Sequence, residues 1–375
     1  MRYTIDLLVE NEKYLSEQII TYIGNKRSLL GFINEAIEWI INDSGKESFV
    51  IADMFSGSGI VSRFFKRYSS NLIVNDLEGY SYTLNQCYLS NVKSVELNKL
   101  KKWYKYLTKE LSKKLHKGFI SNLYAPKDSN NIKIGERCFF TTRNAMYIDT
   151  CRQLINEIPD KYRMYFIAPL LTEASIKNNT SGVFKGFYKN SMTGIGQFGG
   201  NDENALSRIK KDIVLQFPVF SNFNCNYEIF KEDANALVKD IGLVDILYLD
   251  PPYNQHPYGS NYFMLNLIND YIEPKKISTV SGIPVDWNRS IYNKEKESRN
   301  AFEQLCLNAK AKYLLISFNS DGYIKNKDML KIVENIGKVK VFEKKYNTFR
   351  GSRNLRSRNI HVKEFLYLVK NHKYC

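Results

Sequence analysis

The sequence predicts an α/β protein built on an open sheet. Four short apolar runs end at polar residues, at 49–55, 72–76, 244–249 and 312–318, and such runs are typical of buried parallel strands. Helical patterns separate these runs, and strands that alternate with helices indicate an open α/β sheet. Ligands of such sheets bind beyond the carboxyl ends of the strands, so the residues that close each strand are the first candidates for a site.

Composition excludes several classes of protein. The 375 residues carry 54 Lys and Arg against 39 Asp and Glu, a formal net charge of +15, with 43% apolar residues. A chain of this length can bury a core and form two or three structural units, which excludes a peptide, a disulfide scaffold and a disordered tail. The positive charge favours a polyanionic partner such as nucleic acid, although a solvated lysine-rich surface would give the same total.

No membrane segment or metal site is predicted. Residues 1–14 have no apolar run behind a basic stretch, and no later segment approaches the roughly 18 continuous apolar residues of a membrane span. The 6 cysteines form no C-x-x-C pair, and none of the 4 histidines has finger-like spacing to them. We therefore expect a cytoplasmic protein with reduced thiols, no bound zinc and no membrane partner.

The stretch between about Leu97 and Cys225 interrupts the α/β pattern. Leucines and a tryptophan at three- to four-residue steps among lysines predict a basic amphipathic helix at 100–115, most simply a surface helix with a solvated lysine face. Turn-forming residues are concentrated at 178–182 and 194–201. We interpret the stretch as an inserted second domain whose basic and aromatic residues suit a nucleic-acid surface. A helical subdomain without a ligand is the alternative.

A last basic feature occupies 344–358, where cations alternate with small and polar residues. It fits a loop that grips phosphate groups. It fits equally well a solvated hairpin between two strands of the sheet, and the sequence does not decide between the two.

The run at 49–55 leads into a glycine turn. Residues 53–59, with the sequence Asp-Met-Phe-Ser-Gly-Ser-Gly, precede a helix that begins near Ile60, and the two glycines let backbone amides approach a ligand closely. A dinucleotide fingerprint would have its third glycine at Ser62, so the turn alone is weak evidence for a cofactor. Asp76 closes the next strand, where an acid can accept both ribose hydroxyls of an adenosine. Capping of the following helix is the alternative for this aspartate.

The run at 244–249 is followed by the tetrapeptide Asp-Pro-Pro-Tyr at 250–253. Two prolines fix the backbone and cannot continue the ladder, which leaves carbonyls that no neighbouring strand satisfies. The carboxylate and a carbonyl can accept the two hydrogens of an exocyclic amino group, while Tyr253 stacks on the ring that carries it. We expect this segment at the same edge of the sheet as Gly57 and Asp76. A plain turn after a strand is the alternative.

Together these motifs resemble the D12 class of N6-adenine DNA methyltransferases, the type that includes Dam and many methylases of restriction-modification systems. The glycine turn precedes the Asp-Pro-Pro-Tyr segment, which is similar to the alpha arrangement of the family. One departure is Met54, where a proline is common, but the site requires only the backbone turn there. The matching segments, which span most of the chain, are 22–30, 53–59, 75–76, 230–234, 250–253, 258–262 and 315–322.

The resemblance implies a Rossmann-like S-adenosylmethionine-dependent methyltransferase fold with an inserted, largely helical target-recognition domain. It divides the chain into a first catalytic part (1–90), an inserted target-recognition region (91–225) and a second catalytic part (226–375). It implies S-adenosylmethionine as the cofactor and double-stranded DNA as the partner, with a cognate restriction endonuclease as a further candidate partner.

The resemblance also assigns roles to individual residues. Tyr22, Lys26, Phe55 and Gly57 would surround the methionine part of the cofactor, Asp76 would hold its ribose and Asp233 its adenine amino group. The other cofactor-binding candidates belong to the glycine turn and are Asp53, Ser56, Ser58 and Gly59. The catalytic candidates are Asp250, Pro251, Pro252 and Tyr253.

The implied reaction is direct methyl transfer to a flipped-out adenine, with no covalent enzyme intermediate. N4-cytosine methylation would use the same kind of pocket, although Asp250 favours adenine over cytosine because cytosine enzymes more often have Ser there. RNA adenine methylation more often goes with Asn at that position. A nucleic-acid-binding regulatory protein without transferase activity would have no reason to keep residues 250–253. An NAD-dependent oxidoreductase fits poorly because the third glycine is missing.

Overall fold

The α/β prediction is confirmed by the computed structural model, which describes residues 9–347 and 361–375. The strands of these residues are β1 (Phe49–Asp53), β2 (Ser69–Asn75), β3 (Asn226–Phe230), β4 (Val244–Leu249), β5 (Ala311–Asn319), β6 (Gly337–Asn347) and β7 (His361–Asn371). In the described part of the chain, seven strands form one sheet in the order β3-β2-β1-β4-β5-β7-β6. The four runs expected from the sequence are β1, β2, β4 and β5.

The first five strands are parallel, and the last two form an antiparallel edge. β1 lies between β2 and β4 and pairs in parallel with both, β3 extends the sheet beyond β2, and β5 extends it beyond β4. β7 inserts between β5 and β6 and runs antiparallel to each. The carboxyl ends of β2, β1 and β4 therefore meet at one edge of the sheet.

Helices occur between the strands and throughout the middle of the chain. They are α1 (Leu30–Ser44), α2 (Ile60–Phe65), α3 (Gly79–Tyr88), α4 (Leu97–Leu111), α5 (Phe119–Tyr124), α6 (Thr142–Glu157), α7 (Asp160–Ile176), α8 (Leu206–Lys210), α9 (Ala234–Asp240), α10 (Tyr258–Asn261), α11 (Phe263–Asp270), α12 (Glu295–Asn308) and α13 (Asn326–Glu334). Short 3-10 turns lie at Arg27–Leu29, Lys66–Tyr68, Val92–Ser94 and Ile291–Asn293. The helix that was expected to begin near Ile60 is α2.

Both faces of the sheet are covered by helices. Alternate residues of a strand point to opposite faces, so Ile51 and Ile246 pack with α1 and α2, while Ala52 and Leu247 pack with α9, α12 and α13. Burial on both sides explains why the central strands have continuous apolar sequences.

Helices α4 to α7 fill the first part of the segment interpreted as an insertion. The predicted amphipathic helix is α4, which buries Leu100, Leu107 and Leu111 and ends before Leu115. These helices share one apolar core with α3 and α11. After α7, the chain at 177–225, all of it described, forms turns and the short helix α8.

Membrane-spanning helices and clusters of metal-binding side chains are both absent from the described residues. None of the helices there is long and apolar enough to cross a membrane. The same residues contain no group of three or more His, Cys, Asp or Glu side chains that could hold a metal ion. The cysteines, from Cys87 to Cys375, are free thiols, and all except Cys375 are buried.

The basic stretch at 344–358 falls mostly outside the described residues. Strand β6 contains its first four positions, and the described chain resumes at His361. The choice between a phosphate-gripping loop and a solvated hairpin therefore stays a prediction.

Arg63, on α2, anchors the segment that precedes α1. Its side chain is 1% exposed and lies between the rings of Tyr14 and Tyr88, with the guanidinium carbon 4.6 and 4.5 Å from their centres. The guanidinium donates to the backbone carbonyls of Tyr14 and Gln18. A charged donor thus satisfies backbone acceptors in a buried place, which fixes the path of the chain towards Tyr22.

Replacing Arg63 with Met should lower the free energy of unfolding by about 3 kcal/mol, because buried carbonyls lose a charged donor while the side-chain volume stays similar. Urea unfolding followed by circular dichroism measures this change. The matched control is Arg67→Met on the following turn, where the arginine is exposed, and we expect a change within about 0.5 kcal/mol. Equal losses in both variants would contradict the anchoring role.

Candidate active site

A pocket with an empty volume of about 880 Å³ lies at the carboxyl ends of β1, β2 and β4. The residues that close these strands reach it: 53–58 after β1, 75–78 after β2 and Asp250 after β4. The sequence prediction that the glycine turn, Asp76 and the Asp-Pro-Pro-Tyr segment share one edge of the sheet is confirmed.

The structure brings most of the expected site residues to this pocket. Its walls include Tyr22, Lys26, Asp53, Phe55, Ser56, Gly57, Ser58, Asp76, Asp233, Asp250 and Pro252. Gly59, Pro251 and Tyr253 are not among its lining residues. Gly59 lies one position before α2, and Pro251 is buried. Tyr253 is 9% exposed and its ring packs edge-on against Phe318, with the ring centres 5.6 Å apart.

The glycine turn requires both of its glycines. Gly57 and Gly59 have φ angles of 52° and 76°, in the left-handed region that side chains disfavour. A Cβ at Gly57 would lie 2.8 Å from Cε1 of Tyr22, and one at Gly59 would lie 2.8 Å from Oδ1 of Asn85. The turn therefore packs directly against side chains that a larger residue would displace.

Asp76 joins the turn to the end of β2. Its Oδ2 accepts a hydrogen bond from the backbone N–H of Gly57 at 2.7 Å, and its Oδ1 accepts one from Glu78 at 2.9 Å. Helix α3 begins at Gly79 with Glu78 as its N-cap residue, so Asp76 does not cap this helix. Burial raises the pKa of Asp76 to about 6, although the N–H donors oppose the shift. The backbone N–H of Leu77 and the Ser81 hydroxyl also interact with this carboxylate.

Asp53 lies behind the turn and faces α2. Its carboxylate is fully buried, and Oδ2 accepts a hydrogen bond from the Ser62 hydroxyl at 2.6 Å. Burial raises the pKa of Asp53 to about 7. The serine at the position of a third fingerprint glycine thus ties the first turn of the helix to the strand end.

An aromatic wall closes the pocket on the side of the N-terminal segment. The Tyr22 ring stacks on Tyr262 and on Tyr258, with centres 4.6 and 4.9 Å apart. Its hydroxyl lies 3.2 Å from the hydroxyl of Tyr80, on α3. Two tyrosines of the motif at 258–262 thus pack against Tyr22 and hold it at the pocket wall. One of them, Tyr258, also lines the pocket itself.

Lys26 contacts the carboxylate of Asp250. Its ammonium is 3% exposed and lies 3.1 Å from Oδ1 of Asp250 and 2.9 Å from Oε1 of Glu364. Burial raises the pKa of Asp250 to about 6, and the nearby Lys26 charge limits that rise. Burial disfavours the charged form of Lys26, but the two carboxylates outweigh burial and raise its pKa well above the ordinary value. At neutral pH both groups are charged.

Asp233 is placed at the first turn of α9. Its Oδ1 accepts hydrogen bonds from the N–H groups of Asn235 and Ala236, so it caps this helix. The side chain is exposed and lines the pocket from the end of β3.

One wall of the pocket was missed by sequence reasoning. It is formed by a segment before α12, whose lining residues are Asn288, Ser290, Tyr292 and Asn293. The Tyr292 ring packs edge-on against Phe55 with centres 5.2 Å apart, and its hydroxyl donates to Asn235 at 2.7 Å. The segment has no periodic pattern. The one feature of the sequence that could have identified this segment is an aromatic residue among asparagines that follow the Asp-Pro-Pro-Tyr motif.

Comparisons with known proteins agree with this geometry. The family model described as D12 class N6 adenine-specific DNA methyltransferase matches residues 22–332. The chain is 30% identical over 347 residues to the type II methyltransferase M.NlaIII of Neisseria lactamica, covering 89% of this chain and 93% of that protein. It is 30% identical over 362 residues to the type II methyltransferase M.CviAII of Paramecium bursaria Chlorella virus 1, covering 93% and 98%.

A third relative is longer than this chain. The type II methyltransferase M.FokI of Planomicrobium okeanokoites is 28% identical over 363 residues, which is 93% of this chain and 52% of M.FokI. The sheet, with its glycine turn and Asp-Pro-Pro-Tyr pocket, is the Rossmann-like methyltransferase fold that the sequence motifs implied. The chain belongs to the family of D12 class N6 adenine-specific DNA methyltransferases.

Proposed function

We propose that this DNA adenine methyltransferase uses S-adenosylmethionine and acts on an adenine that is flipped out of duplex DNA. The observation that carries the proposal is the shared pocket, in which the glycine turn and Asp76 face the same cavity as Asp250. A site for an adenosine cofactor and an acceptor for an exocyclic amine are thereby adjacent. The names of the type II relatives support a role as the modification component of a restriction-modification system. We further propose that the enzyme acts in the cytoplasm and has a cognate endonuclease as a partner.

The residues of the pocket fit S-adenosylmethionine. Tyr22, Lys26 and Phe55 would surround its methionine part together with the glycine turn, where the absence of a side chain at Gly57 leaves the backbone accessible. The Asp76 carboxylate lines the pocket at the end of β2, where an acid suits the ribose hydroxyls. The exposed carboxylate of Asp233 suits the adenine amino group. The other lining residues of the turn, Asp53, Ser56 and Ser58, would shape the backbone around the cofactor.

The chemistry at Asp250 follows from the weakness of the adenine amine as a nucleophile. When bound, S-adenosylmethionine supplies an electrophilic methyl group, and the electron pair of the broken methyl–sulfur bond stays on sulfur. Asp250 and the carbonyl of Pro251 would accept the two N6 hydrogens, which favours a pyramidal nitrogen with an available lone pair. The negative charge of the Asp250 carboxylate also stabilises the positive charge that N6 gains before N6 releases a proton. Pro252 fixes the backbone, and Tyr253 would stack on the base.

The inserted region 91–225 is our candidate for target recognition. An adenine that is stacked inside a duplex cannot reach an active-site pocket with its N6. The base must therefore leave the helix, at a cost of a few kcal/mol. Contacts outside the pocket have to hold the flanking DNA meanwhile, and a chain with a net charge of +15 is suited to phosphate contacts. Helix α4 exposes several lysines of this region, among them Lys101, Lys102 and Lys105.

Replacing Asp250 with Ala should lower the rate of methyl transfer by roughly 10²–10³-fold, because the adenine amino group loses its side-chain acceptor and N6 loses the nearby negative charge. The affinity for S-adenosylmethionine should stay close to that of the wild type. Single-turnover assays with labelled S-adenosylmethionine measure the first quantity, and calorimetry measures the second. Asp240→Ala, at the exposed end of α9, is the matched control and should behave as wild type. Retained turnover in Asp250→Ala would refute the assignment.

Replacing Gly57 with Ala should weaken S-adenosylmethionine binding by roughly tenfold or more, since a left-handed alanine costs about 1–2 kcal/mol and its Cβ would push Tyr22 aside. Calorimetric titration measures the dissociation constant. Gly31→Ala is the matched control, because a Cβ at Gly31 meets no atom within 4 Å. Wild-type affinity in a folded Gly57→Ala protein would place the cofactor elsewhere.

A further inference from the structure

Glu364 is a buried carboxylate to which neither the sequence motifs nor the proposed mechanism gives a role. It lies on β7 opposite Asn319 of β5, and its side chain is 1% exposed. Its Oε1 accepts a hydrogen bond from the Ser317 hydroxyl at 2.6 Å and lies 2.9 Å from the Lys26 ammonium. Its Oε2 is buried and has no hydrogen-bond partner among the described residues.

Glu364 reaches the reaction site only through Lys26. The same ammonium lies 3.1 Å from Oδ1 of Asp250, so two carboxylates share one buried cation. Glu364 does not line the pocket, whereas Lys26 and Asp250 do. A single pair of Lys26 and Asp250 would already be neutral. Burying a second carboxylate costs several kcal/mol in desolvation. A contribution to stability alone therefore does not explain why Glu364 is buried here.

We propose that Glu364 is a positioning residue for methyl transfer, which holds Lys26 so that the Asp250 carboxylate stays oriented towards the pocket with one unit of charge. The inference rests on the proposed role of Asp250 as acceptor of the adenine amino group. In the absence of Glu364, Lys26 has a single carboxylate partner. It can then move towards Asp250 and draw the carboxylate away from the position that the amine requires. An error of about 1 Å in such a position can lower a rate by roughly 100-fold.

The surroundings of Asp250 give the sign of the effect on pH dependence. Burial raises the pKa of Asp250, the Lys26 charge opposes the rise, and the Glu364 charge adds to it. Removal of the Glu364 charge therefore lowers the pKa of Asp250, and the ionised form persists to lower pH. The titratable groups that interact with Asp250 or with Lys26 are Asp53, Tyr248, Tyr253, Tyr258 and Glu364.

The test is the pH profile of methyl transfer in Glu364→Gln, measured in single turnovers with labelled S-adenosylmethionine and DNA. Glutamine has the same shape and can still accept from Ser317, so the variant removes mainly charge. We expect the acid limb of the profile to move down by roughly one pH unit and the rate at neutral pH to fall roughly tenfold. The matched control is Glu343→Gln, because Glu343 pairs with Lys363 at the exposed edge of the sheet, and its profile should equal that of the wild type.

Three results would overturn the inference. The first is a wild-type rate and profile in Glu364→Gln, and the second is a fall in thermal stability with an unchanged profile. If Glu364→Gln does not fold, Ser317→Ala decides, since it removes only the hydroxyl that orients Glu364. In Ser317→Ala, a shift of the acid limb to lower pH that is smaller than the shift expected for Glu364→Gln supports the inference. An unshifted pH profile in Ser317→Ala is the third contrary result.

Asp250→Ala separates this inference from the proposed function. An inactive Asp250→Ala beside a Glu364→Gln enzyme of wild-type behaviour would reject only the role of Glu364. Full activity in both variants would reject the proposed role of Asp250 as well.

Discussion

The structure of the site depends on one buried cation shared by two carboxylates. Lys26 belongs to the segment before α1, Asp250 follows β4 and Glu364 lies on β7, so a single ammonium connects three distant parts of the chain. Desolvation makes such a cluster a poor source of stability. The cluster instead fixes the geometry of the site. Any arrangement of the chain that left one of these buried charges without its partner would be too unfavourable to be populated. The N-terminal segment and the Asp-Pro-Pro-Tyr segment are thereby held in one register around the pocket.

Contacts outside this ion cluster support it on the same side of the pocket. Arg63 fixes the chain at Tyr14 and Gln18, and a few residues later the Tyr22 ring stacks on the rings of α10 and its neighbour Tyr262. The aromatic stack leaves no space for a side chain at Gly57. The pocket walls beside the glycine turn and beside Asp250 are therefore built by the same stretch of chain, which would bring the proposed cofactor and the proposed amine acceptor into one cavity.

The sequence predicts the parts of this arrangement that depend on local patterns. Buried parallel strands have continuous apolar runs, so β1, β2, β4 and β5 and the residues that close them could be identified. The contacts that position those residues come from elsewhere in the chain. Glu364 lies on β7, between β5 and the edge strand β6, and Tyr292 lies in a segment without periodicity. No periodic pattern marks either residue as part of the site, because their roles arise from contacts with distant parts of the chain.

The most direct test of the account is to identify the methylated nucleoside. The purified protein would be incubated with methyl-labelled S-adenosylmethionine and unmethylated duplex DNA, and the DNA would then be digested to nucleosides. We predict that the label appears in N6-methyladenine and that labelling slows by roughly 10²–10³-fold when Asp250 is replaced with Ala. Label in N4-methylcytosine, or no label in DNA at all, would contradict it.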